Sequence, residues 1–216
     1  MAHIHLEDGS FSLFYALVWW TAAIILVGIA IYLIRSEKKP DRRKITLAAF
    51  CTAAAFAIFQ VSIPIFGGVH INLTPLIGIL AGPAAGSLVV LIINILSAAI
   101  GHGGWGLIGA NALVNIVEVF IGYSCFRLLK SAIPDLFSRA GIATLAGLFF
   151  GNIVMILIIV ISGIQGVNQS SGQILTGLSL LAAVNMGVAV IEAFVTGLIV
   201  AYIGKVRPDL LGDDRV

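Results

Sequence analysis

Residues 71–100, INLTPLIGILAGPAAGSLVVLIINILSAAI, decide how many times this chain crosses a membrane. The stretch is long and almost wholly apolar from Leu76 onward, and it reads as one span or as two. Gly82-Pro83 lies inside it, and proline cannot donate the hydrogen bond that an uninterrupted helix needs. A division there leaves a short piece, Ile71–Gly82, and a longer one, Ala84–Ile100. The short piece falls below the twenty or so residues that cross a hydrocarbon core of about 30 Å, so length alone favours one span.

The flanking sequence weighs the other way. A first span runs from Phe11 to Ile34, and the basic run Arg35–Lys44 follows it. A second span extends from about Ile45 to Phe66, with Pro64 expected to break or end it. The turn-rich connection 67–75 leads into the ambiguous stretch. Beyond it come the glycine-rich segment 101–106, a span from Leu107 to about Phe126, and the basic residues Arg127, Lys130 and Arg139. Ala140–Ser162 is the next span, 163–173 a neutral polar connection, and Ile174–Ile203 the last span, followed by Lys205, Arg207 and Arg215. If residues 71–100 contribute two crossings, the total is seven, and all 12 lysines and arginines fall on one side. If they contribute one, the basic residues divide between the two sides. Because cytoplasmic loops collect Lys and Arg, the expectation is an all-α polytopic membrane protein of about seven transmembrane helices, amino terminus outside and carboxy terminus in the cytoplasm.

Composition agrees with this class. Sixty per cent of the 216 residues are hydrophobic and 10% are charged, against about 25% charged in soluble domains. One membrane domain, residues 1–216, accounts for the chain, placed in the cell membrane among lipid. The net charge of +2 gives no reason to expect a nucleic-acid partner, since the basic residues sit in loops between apolar spans. Cys51 and Cys125 both fall inside apolar spans and read as buried free thiols. The first apolar stretch lacks a basic leader and carries its positive charge behind it, so it reads as a span and not as a cleaved signal.

That topology puts all four histidines on the outer face: His3 and His5 before the first span, His70 in the second outer connection and His102 in the third. Each stands beside glycine or near the terminus, where backbone approaches a ligand closely. The start, Met1-Ala2-His3-Ile4-His5, is a ready chelator: a chain amine, an amide nitrogen and an imidazole close fused rings on one ion. Flat all-nitrogen ligation suits Ni(II), Cu(II) or a related divalent ion. If Met1 is removed, Ala2 and His3 supply three nitrogens and His70 completes the set. If Met1 is kept, the terminus supplies four unaided and His70 is spare. His5 is a reserve ligand or supports the ligands from behind. His102, in its glycine-rich turn, is more economically an interfacial turn histidine than a gate.

Three further features lie within the spans. Asn111, Asn115 and Glu118, spaced by four and three, share one helical face, and Asn185 and Glu192 form a similar face on the last span. Intramembrane ionisable groups are costly and face the protein interior, so these groups read as holding helices together, with a carboxylate relay as the sharper alternative. Asn111, nearest the outer face, is a candidate to support the metal ligands. Ala49, Ala53 and Ala57, four apart, allow close helix approach, either within the bundle or at a docking site for a membrane partner.

Taken in order, Ala2-His3-Ile4, Gly67-Gly68-Val69-His70, Leu80-Ala81-Gly82-Pro83, and Gly101-His102-Gly103-Gly104 followed by Gly109-Ala110-Asn111 resemble the substrate-capture components of energy-coupling-factor cobalt and nickel transporters, the CbiM/NikM group. The resemblance covers most of the chain. It implies a seven-span protein that binds Co(II) or Ni(II) as cargo, with no permanent cofactor, through the terminal amine, the adjacent histidine and a histidine of the second outer connection. Those roles fall on Ala2, His3 and His70. It also implies a transmembrane coupling protein, paired cytosolic ATPases and room for a small accessory membrane subunit, with Ala49, Ala53 and Ala57 resembling the docking face. Members of the group start Met-His, whereas this chain starts Met-Ala-His, and removal of Met1 restores the register. The chain has no GxxxxGK[ST] phosphate loop, so energy is expected from partners. A secondary metal/proton transporter using Glu118 and Glu192 is the alternative.

Overall fold

A computed structural model describes residues 8–36, 42–59, 62–63, 69–101, 103–165 and 171–211. Six helices dominate: α1 (Leu13–Ser36), α2 (Arg42–Phe59), α3 (Thr74–Ala99), α4 (Ile108–Leu128), α5 (Leu136–Ser162) and α6 (Ser171–Val206). A pair of two-residue strands, β1 (Ser62–Ile63) and β2 (Val69–His70), joins α2 to α3 in antiparallel register, His70 opposite Ser62. Five helical stretches are long and apolar enough to cross a membrane, and this is a multi-pass membrane protein. The apolar part of α2, Thr46–Ile58, is shorter, because its first turn is given over to Arg42, Arg43 and Lys44. That helix closes at Phe59, ahead of β1 and short of Pro64.

The ambiguous stretch is a broken helix. Gly82 has φ 79° and ψ 170°, well outside helical geometry, and Pro83 follows it. A Cβ on Gly78 would lie 2.3 Å from the Val119 carbonyl oxygen of α4, and one on Gly86 would lie 2.7 Å from the Val119 side chain. In a straight helix those glycines would be about 12 Å apart, so meeting one residue of α4 requires the chain to double back at Gly82. The first limb, 74–81, is only about 12 Å long at 1.5 Å per residue. The length argument against a break was sound for a full crossing; this limb is too short to be one by itself. Pro75 opens the limb, where a missing N–H costs nothing.

Helix α4 is the hub, buried along most of its length, whereas α1 is largely exposed. Its start, the end of α5 and the start of α1 share one end of the bundle. The Asp8 carboxylate accepts the Trp105 and Gly106 N–H groups at 3.0 and 2.8 Å. Trp20 donates its indole N–H to the Trp105 carbonyl, and the Gln165 N–H reaches the Ser10 carbonyl at 2.9 Å. Arg35, Arg127, Arg139 and Lys205 stand at the other ends of these helices. There, Gly197 and Gly204 of α6 admit Phe137 and Leu136 of α5, and the Asp135 carboxylate caps α5 by accepting the Ser138 N–H at 2.8 Å. Cys51 is buried as expected; Cys125 is only half-buried, and both are free thiols.

Candidate metal site

Between β2 and the first limb of α3, residues 69–74 form a strap that enters the bundle. His70 is 5% exposed, and Asn72, Leu73 and Thr74 are equally buried. The connection expected at the outer surface is therefore drawn inward, into the company of the intramembrane carboxylates. Glu118 of α4 and Glu192 of α6 are both fully buried, and they hold the strap from two sides. Glu192 Oε2 accepts the Asn72 N–H at 3.3 Å, and Glu118 Oε2 accepts the Thr74 hydroxyl. A buried charge needs partners of this kind, because an unmet carboxylate in a low-dielectric interior costs several kcal/mol (order of magnitude).

Glycines make room for the clamp. A Cβ on Gly151 of α5 would lie 2.4 Å from Glu118 Oε1, and one on Gly147 would lie 2.9 Å from the Glu118 carbonyl and 3.2 Å from Pro75. Leu73, between the two anchored residues, has φ 54° and ψ 24°. A left-handed backbone costs a bulky residue of order 1–3 kcal/mol and persists only where its surroundings overdetermine it. Here the anchors on either side do so.

The polar face read from the sequence is real: Asn111, Asn115 and Glu118 all point inward from α4 and are buried, as are Asn185 and Glu192 on α6. Asn185 donates to the Asn152 side-chain oxygen at 3.0 Å, tying α6 to α5. Asn152, Asn72, Thr74 and Thr196 were not singled out from the sequence. Asn152 carried a signal, a lone amide in an apolar span, whereas Asn72 and Thr74 look like ordinary turn residues. Ala49, Ala53 and Ala57 lie on an exposed face of α2. Ala2, His3, His5 and His102 lie outside the described residues. Among the described residues, no three His, Cys, Asp or Glu side chains come together as a metal cluster.

A multi-pass helical bundle that carries a histidine on a buried strap, braced by two intramembrane carboxylates, has the architecture of a membrane transport component. Residues 5–210 match the CbiM family, described as the cobalt uptake substrate-specific transmembrane region, and the chain belongs to that family. A putative fused nickel transport protein NikMN from Archaeoglobus fulgidus is 30% identical over 214 residues, 96% of this chain and 68% of that protein. A cobalt transport protein CbiM from Ruminiclostridium cellulolyticum is 24% identical, covering 94% of this chain and 83% of its own length. The fold matches a crystal structure of a transition metal transporter at a TM-score of 0.80 and 21% identity, over 94% of this chain and 93% of that one.

Proposed function

We propose that this chain, as one membrane domain over residues 1–216, is the capture component of an ATP-driven cobalt or nickel uptake transporter. With Met1 removed, it takes Co(II) or Ni(II) at the outer face through the Ala2 amine, the His3 backbone nitrogen and imidazole, and the His70 imidazole; an intact mass that retains Met1 would remove this ligand set. His5, His102 and Asn111 support that set or stand in reserve. The observation that carries this reading is the burial of His70 on its clamped strap. Two buried carboxylates hold the strap beyond His70, at the Asn72 N–H and the Thr74 hydroxyl, and metal ligands are kept in place by supporting groups behind them.

The seven-crossing topology follows the same logic. α2 supplies one crossing despite its charged first turn, and the doubled-back α3 supplies the remaining pair together with the strap. The basic ends face the cytoplasm and the Asp8 end faces outward. The exposed alanines of α2 dock a transmembrane coupling protein that connects to cytosolic ATPases, with a small accessory membrane subunit among the possible neighbours. The two buried carboxylates favour one competing reading, a secondary metal/proton transporter. Uptake assays separate them: the capture reading requires uptake to depend on co-expressed ATPase partners, whereas uptake by the lone chain that collapses with the proton gradient supports the alternative. Binding itself is tested by blocking the terminal amine. Acetylation is expected to abolish tight Ni(II) and Co(II) binding, and undiminished affinity would remove the terminal amine from the ligand set.

A further inference from the structure

Glu192 uses its two oxygens unequally. Oε2 accepts the strap's Asn72 N–H, while Oε1, fully buried, has no hydrogen-bond partner among the described residues. Two further groups, one on the strap and one on the same helix, are in the same condition. The side-chain amide of Asn72 and the hydroxyl of Thr196, one turn further along α6, are buried and make no hydrogen bonds among the described residues. Arg35, Arg127, Arg139 and Lys205 stand at the far end of the bundle. A carboxylate inside a membrane bundle is costly unless a cation comes to it.

The strap determines where that cation would sit. Two residues of chain, about 7 Å at full extension, separate His70 from Asn72, whose N–H Glu192 holds. We propose that Glu192 is the counter-charge of the divalent cation captured at His70, and that its Oε1 accepts a hydrogen bond from an N–H that a ligating group still carries, a coordinated amine or the ring N–H of a histidine on the side away from the metal. This rests on the metal-capture reading above. Glu118 differs in its setting: its Oε2 accepts the Thr74 hydroxyl, and its Oε1 fills the space left by the missing Cβ of Gly151.

The test compares Glu192→Gln and Glu192→Asp with the unaltered full chain, purified in detergent and titrated calorimetrically with Ni(II) and Co(II). Glutamine keeps a carbonyl oxygen for the Asn72 N–H and removes the charge. Affinity is expected to fall about 10- to 100-fold, the usual cost of losing a carboxylate behind a metal ligand, while the melting temperature without metal stays the same or rises. Glu192→Gln binding as tightly as the unaltered chain overturns the inference. So does weaker binding accompanied by a lower metal-free melting temperature, which would mark Glu192 as a structural prop. If Glu192→Gln does not fold, Glu192→Asp decides: it keeps the charge and should hold the metal better than Glu192→Leu, and equal losses in those two overturn the inference. His70→Ala separates the two proposals. Unchanged metal binding there removes the capture reading, whereas lost binding there beside an unaffected Glu192→Gln removes only the counter-charge.

Discussion

Gly78→Ala puts the doubled-back helix under direct load. The new methyl would stand 2.3 Å from the Val119 carbonyl oxygen and 3.1 Å from its Cα, about 1 Å inside ordinary contact and against backbone that has no rotamer to change. The first limb of α3 must therefore move away from α4. Overpacking of this kind costs about 1–3 kcal/mol, against a helix-propensity gain of up to ~1 kcal/mol for replacing glycine with alanine. The net expectation is a destabilisation of roughly 1–2 kcal/mol, with a further loss of metal affinity because Thr74 and the strap move with the limb. Gly187→Ala in α6 is the internal control. Nothing lies within 4 Å of a Cβ there, so only the propensity term acts and stability should hold or rise. Unfolding of both variants in mixed detergent, followed by far-ultraviolet dichroism, measures the difference. Gly78→Ala as stable as Gly187→Ala would refute the folding back at Gly82.

Three more expectations follow from particular contacts. Asp8→Ala removes both acceptors at the start of α4 and should cost about 0.5–2 kcal/mol, as helix-cap losses do; faster hydrogen exchange at residues 105–107 reads it. The Asp135 carboxyl is held below its usual range by hydrogen bonds from the Ser138 hydroxyl and N–H. Its contribution is present above the ordinary carboxylate value near pH 4 and is lost as pH falls through the lowered folded value. The start of α5 should therefore fray in acid, and Asp135→Asn should remove that pH dependence. Ala53→Trp, on the exposed face of α2, should abolish co-purification with transport partners while leaving Ni(II) affinity of the isolated chain unchanged; retained co-purification would clear that face of docking.

Five span-length helices were legible because hydrophobic length is a local property, and the carboxylate faces because charge inside an apolar run is conspicuous at any position. Gly82-Pro83 announced a break, but its consequence, a limb folded back on Val119, depends on glycines at 78 and 86 meeting one residue of another helix. The depth of the strap was harder to read. Its anchors, Glu118 and Glu192, lie 44 and 120 residues from the groups they hold, and the intervening Leu73 takes a left-handed conformation that nothing in its identity advertises. Asn72 and Thr74 have the composition of a surface turn, so only partners distant in sequence reveal that they are buried.

The most direct measurement is the metal content of the purified chain, by mass spectrometry of the bound element, with and without His70→Ala. One equivalent of nickel or cobalt in the unaltered chain and a trace in the variant is the expected result. Equal content in both would take His70, and with it the buried strap, out of the capture site.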